Sequence, residues 1–250
     1  MRKVAAWTAL TAASLFLLAP AELARGQQSY RWPVTPFDTS HWITGTFCEY
    51  RDTAPAPHFH NGVDIPKADG SPVYAVADGV VTGMTRTGSN AYVRVGNFAY
   101  VHIKPAPNLR VGSTVKAFQT VLGTMLTGQG HLHFIDGKYN HEINPLRANG
   151  GLTPYHDPWP PRIDFVQFHP DRSQEPSKGR RVTGMVDLVV KVSEWNGPAT
   201  SPVSCRNNGC YEMGFKILSA DTSTTLLNSG VRFRFQAKPS NDYVHNVFLR

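Results

Sequence analysis

Five side chains, His60, Asp64, His102, His131 and His133, have the types and spacing for metal-assisted chemistry. His131 and His133 flank Leu132 in Gly130-His-Leu-His-Phe-Ile. Residues two apart on a strand project from the same face, so both imidazoles reach one site while Leu132 points into a core. His60 and Asp64, four apart in His60-Asn-Gly-Val-Asp-Ile, also return to one face of an extended chain. Their glycine and β-branched neighbours argue against a helix there. His102, in Tyr100-Val-His-Ile, is expected by alternation on the face of Tyr100, opposite Val101. Three protein ligands drawn from His and carboxylate, with a fourth position left for water, define a catalytic zinc site. Imidazole with carboxylate suits zinc better than calcium or magnesium, which take oxygen shells. A lone His-x-His is more often a packed or solvated pair than a ligand set. The metal reading rests on all of these residues occurring together among strands.

Those strands are legible as period-two alternation. Pro72-Val-Tyr-Ala-Val-Ala-Asp-Gly-Val-Val, Tyr92-Val-Arg-Val, Phe98-Ala-Tyr-Val-His-Ile and Val121-Leu-Gly-Thr-Met-Leu each alternate and end at Gly, Asn or Pro. No amphipathic helix of ten or more residues follows position 30. The expected fold is mainly β. A run rich in turn residues, Gly150-Gly-Leu-Thr-Pro-Tyr-His-Asp-Pro-Trp-Pro-Pro, predicts a linker over 150–162. Beyond it, Phe165-Val-Gln-Phe, Val182 to Val192, Tyr211 to Leu218 and Val231-Arg-Phe-Arg-Phe read as further strands. Their spacing predicts a small immunoglobulin-like β-sandwich over 163–250. Arg250 follows directly on a strand-like run, as expected of a sandwich lacking its last strand.

Arg2 and Lys3, the apolar run from Val4 to Ala19, and Ala24 and Gly26 before Gln27 read as a secretory signal peptide over 1–26. The apolar stretch is short for a membrane span, so no span is expected after cleavage. Of the three cysteines, Cys205 and Cys210 could close a small loop after export, leaving Cys48 as an odd thiol. With no Cys-x-x-Cys pair, a thiolate zinc finger is excluded. The net charge of +7 attracts anionic partners. The basic residues form no stripe interleaved with aromatics, which argues against nucleic acid.

In order and framing, His60-x-x-x-Asp64, Tyr100-x-His102 and His131-Leu-His133-Phe resemble the lysostaphin-type (LytM-like) zinc endopeptidases, which act on bacterial peptidoglycan. The intervening Gly62-Val-Asp-Ile-Pro, Gly70-Ser-Pro-Val-Tyr-Ala-Val-Ala-Asp-Gly-Val-Val, Val111-Gly-Ser-Thr-Val-Lys and Asn144-Pro-Leu agree, and the resemblance covers about residues 36–147. It implies a peptidase domain over 27–149, a groove floored by an antiparallel, duplicated-hybrid-motif-like sheet. Carried over position by position, it makes His60, Asp64 and His133 the ligands of one Zn2+ per chain. His131 and His102 become the catalytic pair, with His131 as base and His102 supporting the oxyanion or proton, or the two exchanged. The implied activity is a secreted or periplasmic zinc endopeptidase acting on peptidoglycan stem or cross-bridge peptides. The alternatives are a non-catalytic zinc-containing wall-binding or regulatory protein, and a zinc peptidase acting on other Gly-rich proteins. The compressed Gly96-Asn-Phe-Ala-Tyr hairpin and the spare Thr127-Gly-Gln-Gly segment predict low groove walls.

Other residues near the motifs carry plainer readings. Arg51 either meets a substrate carboxylate or forms a structural ion pair, the latter the default. Tyr100 is either an oxyanion donor or a packed strand tyrosine. His58 reads as a solvent-facing loop residue, Cys48 as a small buried one, and Asp136 and Glu142 as solvated.

Overall fold

A computed structural model describes residues 29–53, 55–178, 182–196 and 208–249. The expected signal peptide and Cys205 lie outside them. The first part of the chain forms short strands: β1 (Tyr50–Arg51), β2 (His58–Phe59), β3 (Val63–Pro66), β4 (Pro72–Tyr74), β5 (Gly79–Thr85) and β6 (Tyr92–Val95). It continues with β7 (Phe98–Val101), β8 (Ile103–Pro105), β9 (Thr114–Val115), β10 (Val121–Met125), β11 (His131–Lys138) and β12 (His141–Ile143). The larger antiparallel sheet runs β12-β11-β7-β6-β5-β9, with β3 also paired to β11, and a smaller sheet runs β4-β10-β8. The mainly β fold expected from the alternation and the antiparallel sheet implied by the resemblance are present.

Alternation sets the burial. In β11, Leu132 and Phe134 are fully buried while His131 and His133 lie on the more open face. In β6, Val93 and Val95 are buried between the half-exposed Tyr92 and Arg94. Leu122 and Val73 of the smaller sheet join Tyr100, Phe134 and Leu132 of the larger one in a single core cluster. Each such side chain contributes roughly 1.5–3 kcal/mol through burial. Trp32 and Ile43, from the segment before β1, are also fully buried in this cluster.

Two expectations fail for identifiable reasons. Asp136 and Glu142 are not solvated, being 0% and 1% exposed. β11 runs on to Lys138 and pairs with β12, which carries both carboxylates inside. Asp136 accepts hydrogen bonds there from Tyr30 (2.7 Å) and Arg147 (2.7 Å). His102 does not share the face of Tyr100. The chain leaves the larger sheet at the end of β7 and enters the smaller one at β8. His102 sits between them with φ 63°, a left-handed conformation that breaks the alternation. Tyr100 is wholly buried, and its hydroxyl accepts the Val76 N–H at 2.9 Å.

Beyond the turn-rich run come β13 (Arg162–Pro170), β14 (Val186–Ser193), β15 (Glu212–Leu218) and β16 (Thr225–Arg234). Among the described residues they pair as β13-β14 and β15-β16, two two-stranded sheets, which does not confirm the expected immunoglobulin-like sandwich. A two-stranded hairpin cannot cover its own faces. Accordingly Ile163, Phe168, Leu226 and Val231 remain exposed. The segment after β16, which ends in a short helix α1 (Val244–Val247), behaves differently. Asn144 N–H donates to Gln236 O and Lys238 N–H donates to Glu142 O, so residues 236–238 extend the sheet edge at β12. Phe235 and Phe248 pack on Phe59 with ring centroids 5.8 and 6.0 Å away.

This packing makes the C-terminal segment part of the first core. Phe235→Ala is expected to lower the unfolding free energy of the whole chain by about 3–5 kcal/mol, the usual cost of emptying a buried phenylalanine site. Phe168→Ala, on an exposed hairpin face, is expected to leave the midpoint nearly unchanged. Urea unfolding followed by tryptophan fluorescence checks both.

Candidate metal centre

The site is built where β3 and β11 pair. Their register sets Asp64 opposite His133 and Pro66 opposite His131, so these four side chains share one face. His60 precedes β3 in a turn that Gly62 brings against β11. A Cβ at Gly62 would lie 2.4 Å from Phe134 O and 3.0 Å from the His133 ring, so only glycine allows this approach. Gly45 is bridged to Asp64 and tolerates no Cβ either, since one would collide with the Arg51 guanidinium and the Asp64 carboxylate.

Three donor atoms converge. His60 Nε2 lies 2.9 Å from His133 Nδ1, which lies 2.9 Å from Asp64 Oδ1, and His60 Nε2 is 3.2 Å from the same oxygen. The outer nitrogens fix the tautomers. His60 Nδ1 is 2.8 Å from Thr46 O, and His133 Nε2 is 2.9 Å from Asn61 Oδ1. Carbonyl-type oxygens only accept, so the protons sit on those outer nitrogens and both inner nitrogens present lone pairs. Asp64 Oδ2 accepts from Arg51 Nη2 at 2.6 Å, and the same nitrogen is 2.7 Å from Glu49 Oε1. Arg51 is therefore a structural ion-pair residue, and it leaves Oδ1 of Asp64 directed at the two imidazoles.

The electrostatics favour the metal-ready protonation states. Burial pushes His133 down to about 4 from an ordinary 6.5, although its hydrogen bond with Asp64 pulls the other way. Burial works to raise the Asp64 carboxyl, but His60 and His133 together outweigh it and hold the group well below its usual range. Two neutral imidazoles and one carboxylate, with outer atoms already satisfied, are a donor set that fits a small divalent cation.

His102 and His131 stand beside this cluster. His131 Nε2 is 3.8 Å from Asp64 Oδ1, and the His102 ring meets the His131 ring edge-on at 4.9 Å. Each has its Nδ1 2.7 Å from a backbone carbonyl, of Ser89 for His102 and of Gln129 for His131, which leaves both Nε2 atoms as acceptors. Burial lowers the pKa of His102 from its ordinary value, partly offset by the Ser89 carbonyl. Side-chain exposure rises from 7% at His60 and Asp64 through 12% at His133 to 29% at His131, so the cluster opens to solvent on the His131 side.

All five residues expected from the sequence are thus brought together. His58 turns away to the Ala56 carbonyl, and Cys48 is buried. Thr46 and Asn61, which orient the imidazoles, were not anticipated. Thr46 acts through its backbone carbonyl, which leaves no sequence signal. Asn61 lies between His60 and Asp64 and was legible only as a loop residue.

The lowered His133 pKa has a sign that can be tested in the metal-free chain. Between pH 6.5 and about 4 the unfolded chain binds a proton at this position that the folded chain refuses. His133 therefore contributes stability above that window and loses it as pH falls through it. The His133 ring resonance, followed by NMR in the metal-free chain, is expected to titrate near 4; a midpoint near 6.5 would contradict the reading.

Comparison with known proteins shows what one part of the chain is similar to. Residues 58–145, about a third of the chain, match peptidase family M23. No curated protein matches. Among solved structures, the chain is 26% identical to Helicobacter pylori Csd3, with a TM-score of 0.38, covering 50% of this chain and 37% of that one. A zinc containing peptidase from Vibrio cholerae is 22% identical, with a TM-score of 0.39 and coverage of 49% and 40%. Lysostaphin from Staphylococcus simulans is 17% identical, with a TM-score of 0.32 and coverage of 78% and 100%. The chain spans less than half the length of the first two. The segment that matches the family M23 model carries His60, Asp64, His102, His131 and His133.

Proposed function

We propose that this chain is a zinc endopeptidase that hydrolyses peptide bonds in the stem or cross-bridge peptides of bacterial peptidoglycan. The observation that carries the reading is the convergence of His60 Nε2, His133 Nδ1 and Asp64 Oδ1 beside two histidines whose Nε2 atoms are free to accept protons. Its place within an M23 segment supports the substrate class.

His60, Asp64 and His133 would hold the zinc. Zinc bound there would supply a water that ionises near neutral pH, and Lewis acidity to polarise the scissile carbonyl. The rest is the work of this chain. His131, with Nδ1–H tied to Gln129 O, accepts the proton of the attacking water at Nε2 and returns it to the leaving amine. His102 is fixed in the same tautomer by Ser89 O, so it supports proton transfer at its own Nε2. It could stabilise an oxyanion only as an imidazolium, which its burial disfavours. Arg51 holds Oδ2 of Asp64 and so keeps Oδ1 aimed at the imidazoles. The N-terminal pattern of residues 2–26 supports export, and the +7 charge supports retention at an anionic envelope. No helix among the described residues is long and apolar enough to cross a membrane.

Zinc content and release of soluble muropeptides, measured on the purified chain, test the proposal. One zinc per chain is expected, with His60→Ala losing both metal and activity. His131→Ala is expected to keep the metal and lose about 10²–10⁴-fold in rate, the range of a general base. Bound zinc with no cleavage of walls or Gly-rich peptides would move the assignment to a wall-binding regulatory protein. Cleavage confined to Gly-rich proteins would overturn the substrate.

A further inference from the structure

Residues 43–46 form a short extended segment with two working edges. On one edge they bind the metal-site strand: Thr44 N–H donates to Asp64 O at 2.9 Å, and Asp64 N–H donates to Gly45 O at 2.8 Å. Thr46 O then accepts the outer proton of His60. The placement of two donor residues therefore depends on where this segment lies.

Among the described residues, no strand pairs with its other edge. Two buried asparagines from far along the chain stand in for one. Ile43 N–H donates to Asn196 Oδ1 at 2.7 Å, and Asn208 Nδ2 donates to Ile43 O at 3.1 Å. Asn196 and Asn208 are 2% and 4% exposed. The asparagines are themselves anchored. Asn196 Nδ2 donates to Asp157 Oδ2 at 3.0 Å, and Asn208 N–H donates to Glu194 O at 2.9 Å. One residue further on, Gly209 N–H donates to Thr46 Oγ1 at 2.8 Å. A Cβ at Gly209 would lie 2.8 Å from that of Glu49, the residue that also pairs with Arg51.

We infer that Asn196 and Asn208 are positioning residues for the metal site, acting from outside the M23 segment by clamping Ile43 and so fixing the loop that orients His60 and Asp64. Side-chain amides suit this role because each offers both a donor and an acceptor, matching the N–H and C=O that a paired strand would satisfy. The clamp makes the region after the linker part of the metal centre's outer support. That is distinct from a separate module that merely accompanies it. The inference rests on the metal reading above but not on the substrate.

The test is zinc affinity of the full chain, by competition with a chromogenic chelator, beside thermal unfolding of the same proteins without metal. Asn208→Ala is expected to weaken zinc binding about tenfold, the lower end of what losing an outer-shell partner costs. Thr46→Val keeps the carbonyl that binds His60 but removes the hydroxyl that binds Gly209. It is expected to weaken zinc in the same direction even if Asn208→Ala folds poorly. Leu122→Ala, a destabilising change in the smaller sheet, is expected to lower the melting temperature and leave zinc affinity as it was. Affinity unchanged in both loop variants, with only their melting temperatures lowered, would overturn the inference and leave a structural clamp. Failure of the unmodified chain to take up zinc would overturn the metal reading and this inference together. Zinc uptake without wall hydrolysis would overturn the substrate reading alone.

Discussion

Three acceptor atoms held within 3.2 Å of one another repel unless a cation lies among them, and that crowding organises the first part of this chain. Nothing in β-sheet packing alone favours bringing two imidazole lone pairs onto one carboxylate oxygen. The arrangement persists because every outer atom of the cluster is held. Thr46 O and Asn61 Oδ1 take the outer imidazole protons, and Arg51 takes the second carboxylate oxygen. Arg51 is positioned by the β1-β2 pairing, and Gly45 and Gly62 lie at two points where a Cβ would crowd the site. The site costs stability, and the core beneath it, Leu132, Phe134, Tyr100 and Ile65, offsets that cost.

The sheet topology explains why His131 and His102 lie on the open side of the three-donor cluster. His131 belongs to the strand that carries His133, at the start of β11, and its side chain is the more exposed of the two. His102 reaches the same face only because the chain switches sheets there, with a left-handed residue at the switch. A strand that ran on without a break would have carried its ring to the core side with Tyr100. The break both ends the larger sheet's strand and delivers an imidazole beside His131 and His133.

Much of this was legible in the sequence. The alternation in Gly130-His-Leu-His-Phe and the spacing of His60 from Asp64 are local, and locality is what periodicity reports. His102 was identified as a site residue, but its face was assigned by an alternation that the sheet switch interrupts. Asp136 and Glu142 were misjudged as solvated because their partners are distant: Tyr30 and Arg147 for Asp136, and for Glu142 the strand-like segment 236–238 laid over the sheet edge. The same distance hid Asn196 and Asn208, which lie more than 150 residues from Ile43. The β13-β14 and β15-β16 strands were recognisable individually, yet alternation does not say which hairpins will stack, and here they remain separate sheets.

The account stands or falls on which atoms hold the metal, and zinc K-edge X-ray absorption on the reconstituted chain reads that directly. The proposed ligand set predicts a shell of nitrogen and oxygen at about 2.0–2.1 Å with scattering from two imidazoles and no sulfur. A zinc–sulfur distance near 2.3 Å, which would draw in Cys48, or scattering from three or more imidazoles, which would make His131 or His102 a ligand, would contradict it.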